Sequence, residues 1–449
     1  MKLKPPQVVV LSFLAAITVG TLLLSLPAAS TLEGGADFID RLFTATSATC
    51  VTGLIVLDTP RDWAPFGRAV IFALFQIGGL GIMTLSTFFA VLLGRKLTLR
   101  QNVVIQSAMN HNRVLGAKRL IKYIIGLTFT VEIIGAGLLF LRWSFLEKWT
   151  VGERLAQSLF HAVSAFCNAG FSLFSYSFMD YPKDLAVNAI MMALIITGGL
   201  GFIVILDLAR GLFQKRNYAV PRLVLQSKVV IFTSLALITA GALLIFLLER
   251  GNTMSGMSAK GMILGSLFQS VTARTAGFNT LAIGEFAPGT LVVLLFLMFI
   301  GASPGSTGGG IKTSTFAIVL ASVGAMSRNR DRVFMMGRTI PRAVVRRALL
   351  VFIMALAWIG VMAFLLVIAE RNTLAGGGAF MKSLFEVTSA FGTVGLSTGI
   401  TPHLTTIGKI IIIVTMFVGR VGPLTLALAV AINEDKIKYS YPEEKIMVG

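Results

Sequence analysis

Apolar runs and short amphipathic stretches alternate along the whole chain. Runs long enough for a helix to cross a hydrocarbon core of roughly 30 Å, which takes about 20 residues, begin near Val8, Phe66, Leu120, Leu185, Val229, Thr290, Ala348 and Thr405. Inside each successive pair lies a shorter stretch that climbs to a glycine: Phe43 to Gly53, Phe160 to Gly170, Phe268 to Gly277 and Phe385 to Gly395. These glycines are 117, 107 and 118 residues apart, so one unit recurs four times. The pattern predicts an all-α polytopic membrane protein with eight spans, arranged as four tandem units of span, short helix, loop and span. The units cover residues 1–117, 118–225, 226–342 and 343–432, and residues 433–449 form a cytoplasmic C-terminal tail. Such units suit pseudo-fourfold symmetry about one axis.

Hydrophobic residues make up 55% of the chain and charged ones 13%. Soluble proteins carry about 25% charged residues, so a soluble globular domain is excluded. The net charge of +19 raises nucleic acid as a partner, and its distribution removes it. Basic residues gather in alternate loops, from Arg95 to Arg119, Arg210 to Lys228 and Arg328 to Arg347, while Asp37, Asp58, Asp184, Glu285 and Glu370 mark the opposite side as acidic. By the positive-inside bias the basic loops are cytoplasmic, and an even number of spans puts both termini there too. Lys2 and Lys4 before an apolar run, with Pro27-Ala28-Ala29-Ser30 behind it, also match a cleavable signal peptide. Removing that run would leave the first unit with one span, so it is read as the first membrane helix. Cys50 and Cys167 are too few for a disulfide framework.

The stretch before each glycine covers only about 15 Å as a helix, half of what a crossing needs. It therefore enters the membrane and leaves on the same, acidic side. Non-helical backbone at that depth is tolerated only where protein buries it or water lines it, and four such loops point to a shared aqueous pore. A cation that sheds its water needs oxygen ligands, which backbone carbonyls supply. Aiming those carbonyls to one side requires dihedrals that glycine adopts without steric cost. The short helices direct the negative ends of their dipoles at the axis, which favours cations. The candidate ion-binding residues are Val51, Thr52 and Gly53; Asn168, Ala169 and Gly170; Thr275, Ala276 and Gly277; and Thr393, Val394 and Gly395. Close helix packing is the alternative for any one glycine. Four in register, each preceded by Ser47, Ser164, Thr272 or Ser389, favour a filter.

Thr393-Val394-Gly395-Leu396 resembles a shortened form of the potassium-channel filter TVGYG, with Cys50-Val51-Thr52-Gly53-Leu54, Asn168-Ala169-Gly170-Phe171 and Thr275-Ala276-Gly277-Phe278 as its counterparts. Over essentially the whole chain, four non-identical units that each keep one filter glycine resemble the Trk/Ktr/HKT superfamily of potassium transporters. Eight spans with no additional N-terminal helix pair are more similar to the bacterial Ktr branch than to the longer Trk type. The resemblance implies potassium uptake across the plasma membrane, stimulated by sodium, with no organic cofactor on this chain. It also implies a homodimer seated on a cytoplasmic ring of KtrA-like RCK subunits that bind ATP or ADP. One glycine per loop, where the channel motif has two, predicts fewer ordered carbonyl rings and weaker discrimination against sodium. A poorly selective cation transporter or a potassium/sodium symporter of the same superfamily is the alternative. Gly53, where some plant relatives carry serine, leans toward potassium.

The second spans carry Gly78-Gly79, Gly198-Gly199, Gly301 and Gly419 at similar distances from their filter glycines. In the third unit the site expands to Gly301-Ala302-Ser303-Pro304-Gly305-Ser306-Thr307-Gly308-Gly309-Gly310, which cannot stay helical and must line a cavity. Residues 305–313 superficially match a phosphate-binding loop, yet Ile311 separates Gly310 from Lys312 and no βα unit surrounds them. The family likeness makes this segment an intramembrane gate beneath the filter, with Gly305, Gly308, Gly309, Gly310 and Lys312 as its residues; a helix kink is the simpler alternative. Arg420 sits in the corresponding part of the fourth unit, where a charge must face a pore or a polar partner. The likeness assigns it to the gate, and anchoring helices to carbonyls is the other role open to it. Glu132, deep in the third span, is expected to pair with a basic residue of another helix, and Arg274 to pack behind the third loop. His111, His161 and His403 lack metal-ligand spacing and no nucleophile–base arrangement is present, so neither an enzyme nor a transition-metal site is expected.

Overall fold

The structure, a computed structural model, describes residues 5–32, 35–81, 117–213, 223–373, 378–423 and 425–426. The first part of the chain forms α1 (Pro5–Leu24), α2 (Phe38–Thr49) and α3 (Pro65–Leu80). There follow α4 (Ala117–Leu146), α5 (Val151–Cys167), α6 (Leu185–Leu200) and α7 (Phe202–Phe213). Next come α8 (Leu225–Glu249), α9 (Ala259–Thr272), α10 (Pro288–Phe299) and α11 (Thr313–Met326). A small hairpin of β1 (Val333–Met335) and β2 (Arg338–Ile340) leads into α12 (Arg342–Ala369), α13 (Ala379–Gly392) and α14 (Thr406–Val421). Helix starts carry local signals. Thr150 and Glu153 form a reciprocal capping box at α5, and Asp184, Ser258 and Thr405 cap α6, α9 and α14 through their side chains.

Among the described residues four helices, α1, α4, α8 and α12, contain stretches of 18, 25, 25 and 28 residues long and apolar enough to cross a membrane. The helices that follow each loop depart from the continuous spans expected. α3 and α14 have 16 residues each, α6 meets α7 at 100°, and residues 300–312 separate α10 from α11. Three of the breaks, at the ends of α3, α6 and α14, share an origin in backbone handedness. Gly81, Gly201 and Gly422 adopt φ of +76°, +85° and +88°, a left-handed conformation that ends a helix. Each lies three residues after Gly78, Gly198 or Gly419, whose missing Cβ lets the helix rest on the carbonyl oxygen of Thr49, Phe166 or Phe391 at the end of a short helix. Helix approach and helix termination are thus coupled by one G-x-x-G spacing.

Phe43, Phe160, Phe268 and Phe385, which open the short stretches, are all buried. The last part of the chain is tied back to the first by Lys409 of α14, whose ammonium lies 2.5 Å from an Asp40 carboxylate oxygen on α2. Arg95, Lys96, Arg100, His111, Arg113, Lys215, Arg216, Arg222 and the tail 433–449 lie outside the described residues.

Candidate functional site

The C-terminal ends of α2, α5, α9 and α13 lead directly into the four loops. In every loop the glycine and the residue two before it have positive φ, and the residue between them does not. The pairs are Val51 (57°) with Gly53 (88°), Asn168 (58°) with Gly170 (72°), Thr275 (73°) with Gly277 (81°), and Thr393 (49°) with Gly395 (92°). Positive φ at β-branched Val51, Thr275 and Thr393 is costly, and local hydrogen bonds hold it. The N–H groups of Thr52, Ala169 and Val394 donate to the carbonyls of Ser47, Ser164 and Ser389 at 2.8, 2.7 and 2.9 Å. The same serines act through their hydroxyls. Ser47 accepts from Gly53 N–H at 3.1 Å and donates to the Leu54 carbonyl at 2.7 Å; Ser164 donates to the Phe171 carbonyl at 2.7 Å, and Ser389 accepts from Gly395 N–H at 3.1 Å. The third loop is one residue shorter and is held by Ala276 N–H on the Thr272 carbonyl at 2.9 Å.

The loops close into a ring. A Cβ added to Gly53 would meet the Ala169 carbonyl oxygen at 2.6 Å and Gly170 Cα at 2.8 Å. On Gly170 it would meet the Ala276 oxygen at 3.0 Å, on Gly277 the Val394 oxygen at 2.5 Å, and on Gly395 the Thr52 oxygen, closer still. Each glycine therefore faces the carbonyl that precedes the next glycine, in chain order, and the fourth returns to the first. All four line one cavity of about 270 Å³, together with Ile55, Ser172, Asn279 and Ser397.

Residues 301–312 lie against the other side of the third and fourth loops. Gly309 N–H donates to the Thr393 hydroxyl at 3.0 Å, and a Cβ on Gly308 would collide with the Thr275 hydroxyl. Gly305 and Gly310, at φ of +74° and +65°, let the segment double back, so that Ile300 pairs with Ile311. Its other contacts reach the second unit: Ser303 N–H donates to the Gly199 carbonyl at 3.1 Å, Phe202 N–H to the Gly305 carbonyl at 3.1 Å, and the Thr307 hydroxyl to the Phe166 carbonyl at 3.2 Å. Lys312 donates to the Gly308 carbonyl at 2.6 Å. The Arg420 guanidinium bridges two units, donating to the carbonyls of Thr307 in the segment and Gly78 at the end of α3.

The TrkH family, described as cation transport protein, matches residues 6–440. The chain belongs to that family. It is 40% identical to the Ktr system potassium uptake protein B of Bacillus subtilis, covering 100% of this chain and 98% of that one. It is 39% identical to the protein of the same description from Vibrio alginolyticus, covering 99% and 95%. Identity is 38% to the potassium/sodium uptake protein NtpJ of Enterococcus hirae, covering 100% and 98%. The crystal structure of the potassium transporter TrkH from Vibrio parahaemolyticus shares the fold, with a TM-score of 0.70 at 21% identity over 94% of this chain and 84% of that one.

Two charged residues of this TrkH-family chain sit away from the ring. Arg274 is buried against α8, donating to the carbonyl and hydroxyl of Ser234 at 3.4 and 3.2 Å. Among the described residues Glu132 has no cation beside it, where a basic partner was expected. Gln76 Nε2 donates to both its oxygens at 3.0 and 3.1 Å, and the Cys167 thiol donates to Gln76 Oε1 at 3.2 Å. The α3–α4 contact holds an amide at this level, and a neutral donor satisfies the carboxyl without a second buried charge. Sequence reasoning passed over the G-x-x-G spacing, the double use of Ser47, and the Lys409–Asp40 closure. The first was readable from register alone; the closure joins residues 369 apart and left no local signal.

Proposed function

We propose that this protein takes up potassium through the ring of loops, passively and down the electrochemical gradient, in a bacterial plasma membrane with both termini cytoplasmic. The four units surround one axis as a pseudo-fourfold pore. The observation that carries this reading is the closure of the ring. Gly53, Gly170, Gly277 and Gly395 stand next to one another in chain order around one cavity. Alternating handedness along each loop brings successive carbonyls to one face, where they replace the water lost by an entering cation. Four helix C-termini add negative potential at the same place. The membrane potential contributes about 2.3 kcal/mol per 100 mV for each monovalent ion, so inward flux needs no chemical step.

In this reading residues 301–312, with Lys312 and Arg420, form the gate. Two cations beneath a cation filter oppose conduction, and their hydrogen bonds to Gly308, Thr307 and Gly78 hold the segment in place. Opening would come from a cytoplasmic ring of RCK-type subunits that bind ATP or ADP, acting on a homodimer, with sodium stimulating uptake. The similarity to two Ktr system subunits supports these partners. Reversal potentials measured on the full-length protein in liposomes test the reading. A pore reverses at the potassium equilibrium potential as the gradient is varied; a stoichiometric shift with the sodium gradient would replace it with potassium/sodium symport.

A further inference from the structure

The residue after each opening phenylalanine is polar and buried in all four units: Thr44, His161, Gln269 and Glu386. Three of them reach across to the chain leaving the ring. His161 Nε2 accepts from Leu173 N–H at 3.2 Å and lies 3.0 Å from the Ser172 hydroxyl, while Nδ1 donates to the Gln157 carbonyl at 2.9 Å. These partners require a neutral imidazole with its proton on Nδ1. The Gln269 amide oxygen, in the orientation its surroundings satisfy, accepts from the N–H groups of Thr280 and Leu281 at 3.1 and 3.3 Å. Glu386 accepts from Thr398 N–H at 2.9 Å, from the hydroxyls of Ser397 and Thr398 at 2.7 and 3.3 Å, and from Thr401 at 2.7 Å. Leu173, Thr280 and Thr398 are each three residues past the glycine of their loop. Imidazole, amide and carboxylate therefore do one job, presenting a buried acceptor to the same backbone N–H. The first unit differs: the Thr44 hydroxyl donates to the Asp40 carbonyl of its own helix at 2.8 Å.

We propose that His161, Gln269 and Glu386 are positioning residues that pin the outer ends of the second, third and fourth loops, and that the first loop, with Thr44, is the compliant one. The inference rests on the filter reading. Whether ion choice comes from cavity size or from the number of coordinating carbonyls, it requires that the oxygens hold their places, and the strand after each glycine is what holds them on the outer side. Glu386, with four donors, pins most strongly. Sodium discrimination is then limited by the loop in which the residue after the opening phenylalanine offers no such acceptor.

The test uses the full-length protein in liposomes, with the potassium-to-sodium permeability ratio read from reversal potentials. His161→Phe keeps the ring that stacks on Phe174 at 4.5 Å and removes the Nε2 acceptor together with the Nδ1–H donor to the Gln157 carbonyl of its own helix. It, Gln269→Met and Glu386→Met are expected to lower the ratio about five- to tenfold, the consequence of one buried acceptor lost, with Glu386→Met lowest. Glu386→Gln keeps an oxygen for Thr398 N–H and holds the ratio within about twofold of the parent. Thr44→Val leaves it unchanged. If Glu386→Met is not recovered folded, His161→Phe against Thr44→Val decides. A ratio unmoved by His161→Phe and Gln269→Met, while Gly395→Ser alters it, overturns the pinning role. A ratio unmoved by Gly395→Ser overturns the filter reading itself.

Discussion

Alanine placed at the four ring glycines, one at a time, should not give four equal phenotypes. All four have φ between 72° and 92°, where an L-residue costs about 1–2 kcal/mol. That cost is common to the series and corresponds to about tenfold in the fraction of correctly formed loops. The steric part differs. At Gly170 the new methyl finds its nearest atom at 3.0 Å, a shortfall that a shift of a few tenths of an ångström absorbs. At Gly53 and Gly277 the nearest carbonyl oxygen is at 2.6 and 2.5 Å, against a normal carbon–oxygen contact of about 3.3 Å. The obstacle is backbone and cannot rotate away. At Gly395 the Thr52 oxygen is nearer still. Overpacking adds about 1–3 kcal/mol, so Gly395→Ala is expected to lose at least about 30-fold in potassium flux or selectivity, and Gly170→Ala about tenfold or less. Gly137→Ala, on α4 with no heavy atom within 4 Å, is the control and should behave as the parent. The assay is potassium and sodium flux in liposomes, after size-exclusion chromatography shows that each variant is folded. Equal losses at Gly170 and Gly395, or loss at Gly137 as large as either, would refute the ring geometry.

Three further outcomes follow from individual contacts. Arg420→Gln weakens the bridge between the 301–312 segment and the end of α3; a hydrogen bond to a charged group is worth about 1.5–3 kcal/mol, so basal flux should rise about tenfold or more, and an unchanged or lower flux would remove Arg420 from the gate. Lys409→Met leaves Asp40, whose side chain is 12% exposed, without its cation. Breaking such a buried pair costs about 3–5 kcal/mol, seen as a lower melting temperature that Asp40→Asn in the same chain partly restores. Asp184 supplies a pH dependence. Burial pushes its carboxyl up, but the Arg142 guanidinium at 2.6 Å and the Val187 N–H outweigh that and hold it below the ordinary carboxylate range. A carboxyl depressed by folding stabilises above its unfolded value and loses that contribution as pH falls through the folded one. The acid limb of the melting-temperature profile should therefore flatten in Asp184→Asn.

Much of the architecture was legible because membrane burial enforces regular patterns. Apolar length located α1, α4, α8 and α12, and the register of Phe43, Phe160, Phe268 and Phe385 located the short helices before their loops. The same length criterion did not register the breaks that end α3, α6 and α14. Hydropathy does not register backbone handedness, so an apolar run through Gly81, Gly201 or Gly422 looks continuous although φ there is left-handed. The loop glycines were identifiable from spacing, yet the positive φ at Val51, Asn168, Thr275 and Thr393 was not. Valine and threonine disfavour that conformation, and only the hydrogen bonds back to Ser47, Thr272 and Ser389 and the neighbouring loops impose it.

The fourfold recurrence, the membrane setting and the places where helix must give way are written along the chain, because each depends on local composition: apolar length, glycine and proline. Tertiary structure decided what those places do to one another. The order of the glycines around the ring, the seat of residues 301–312 under Thr275 and Thr393, the reach of Arg420 to Gly78 and the neutral partners of Glu132 join positions as far as 342 residues apart. Such contacts are set by which surfaces meet when segments far apart in the chain pack together. No periodicity along the chain encodes which surfaces those are.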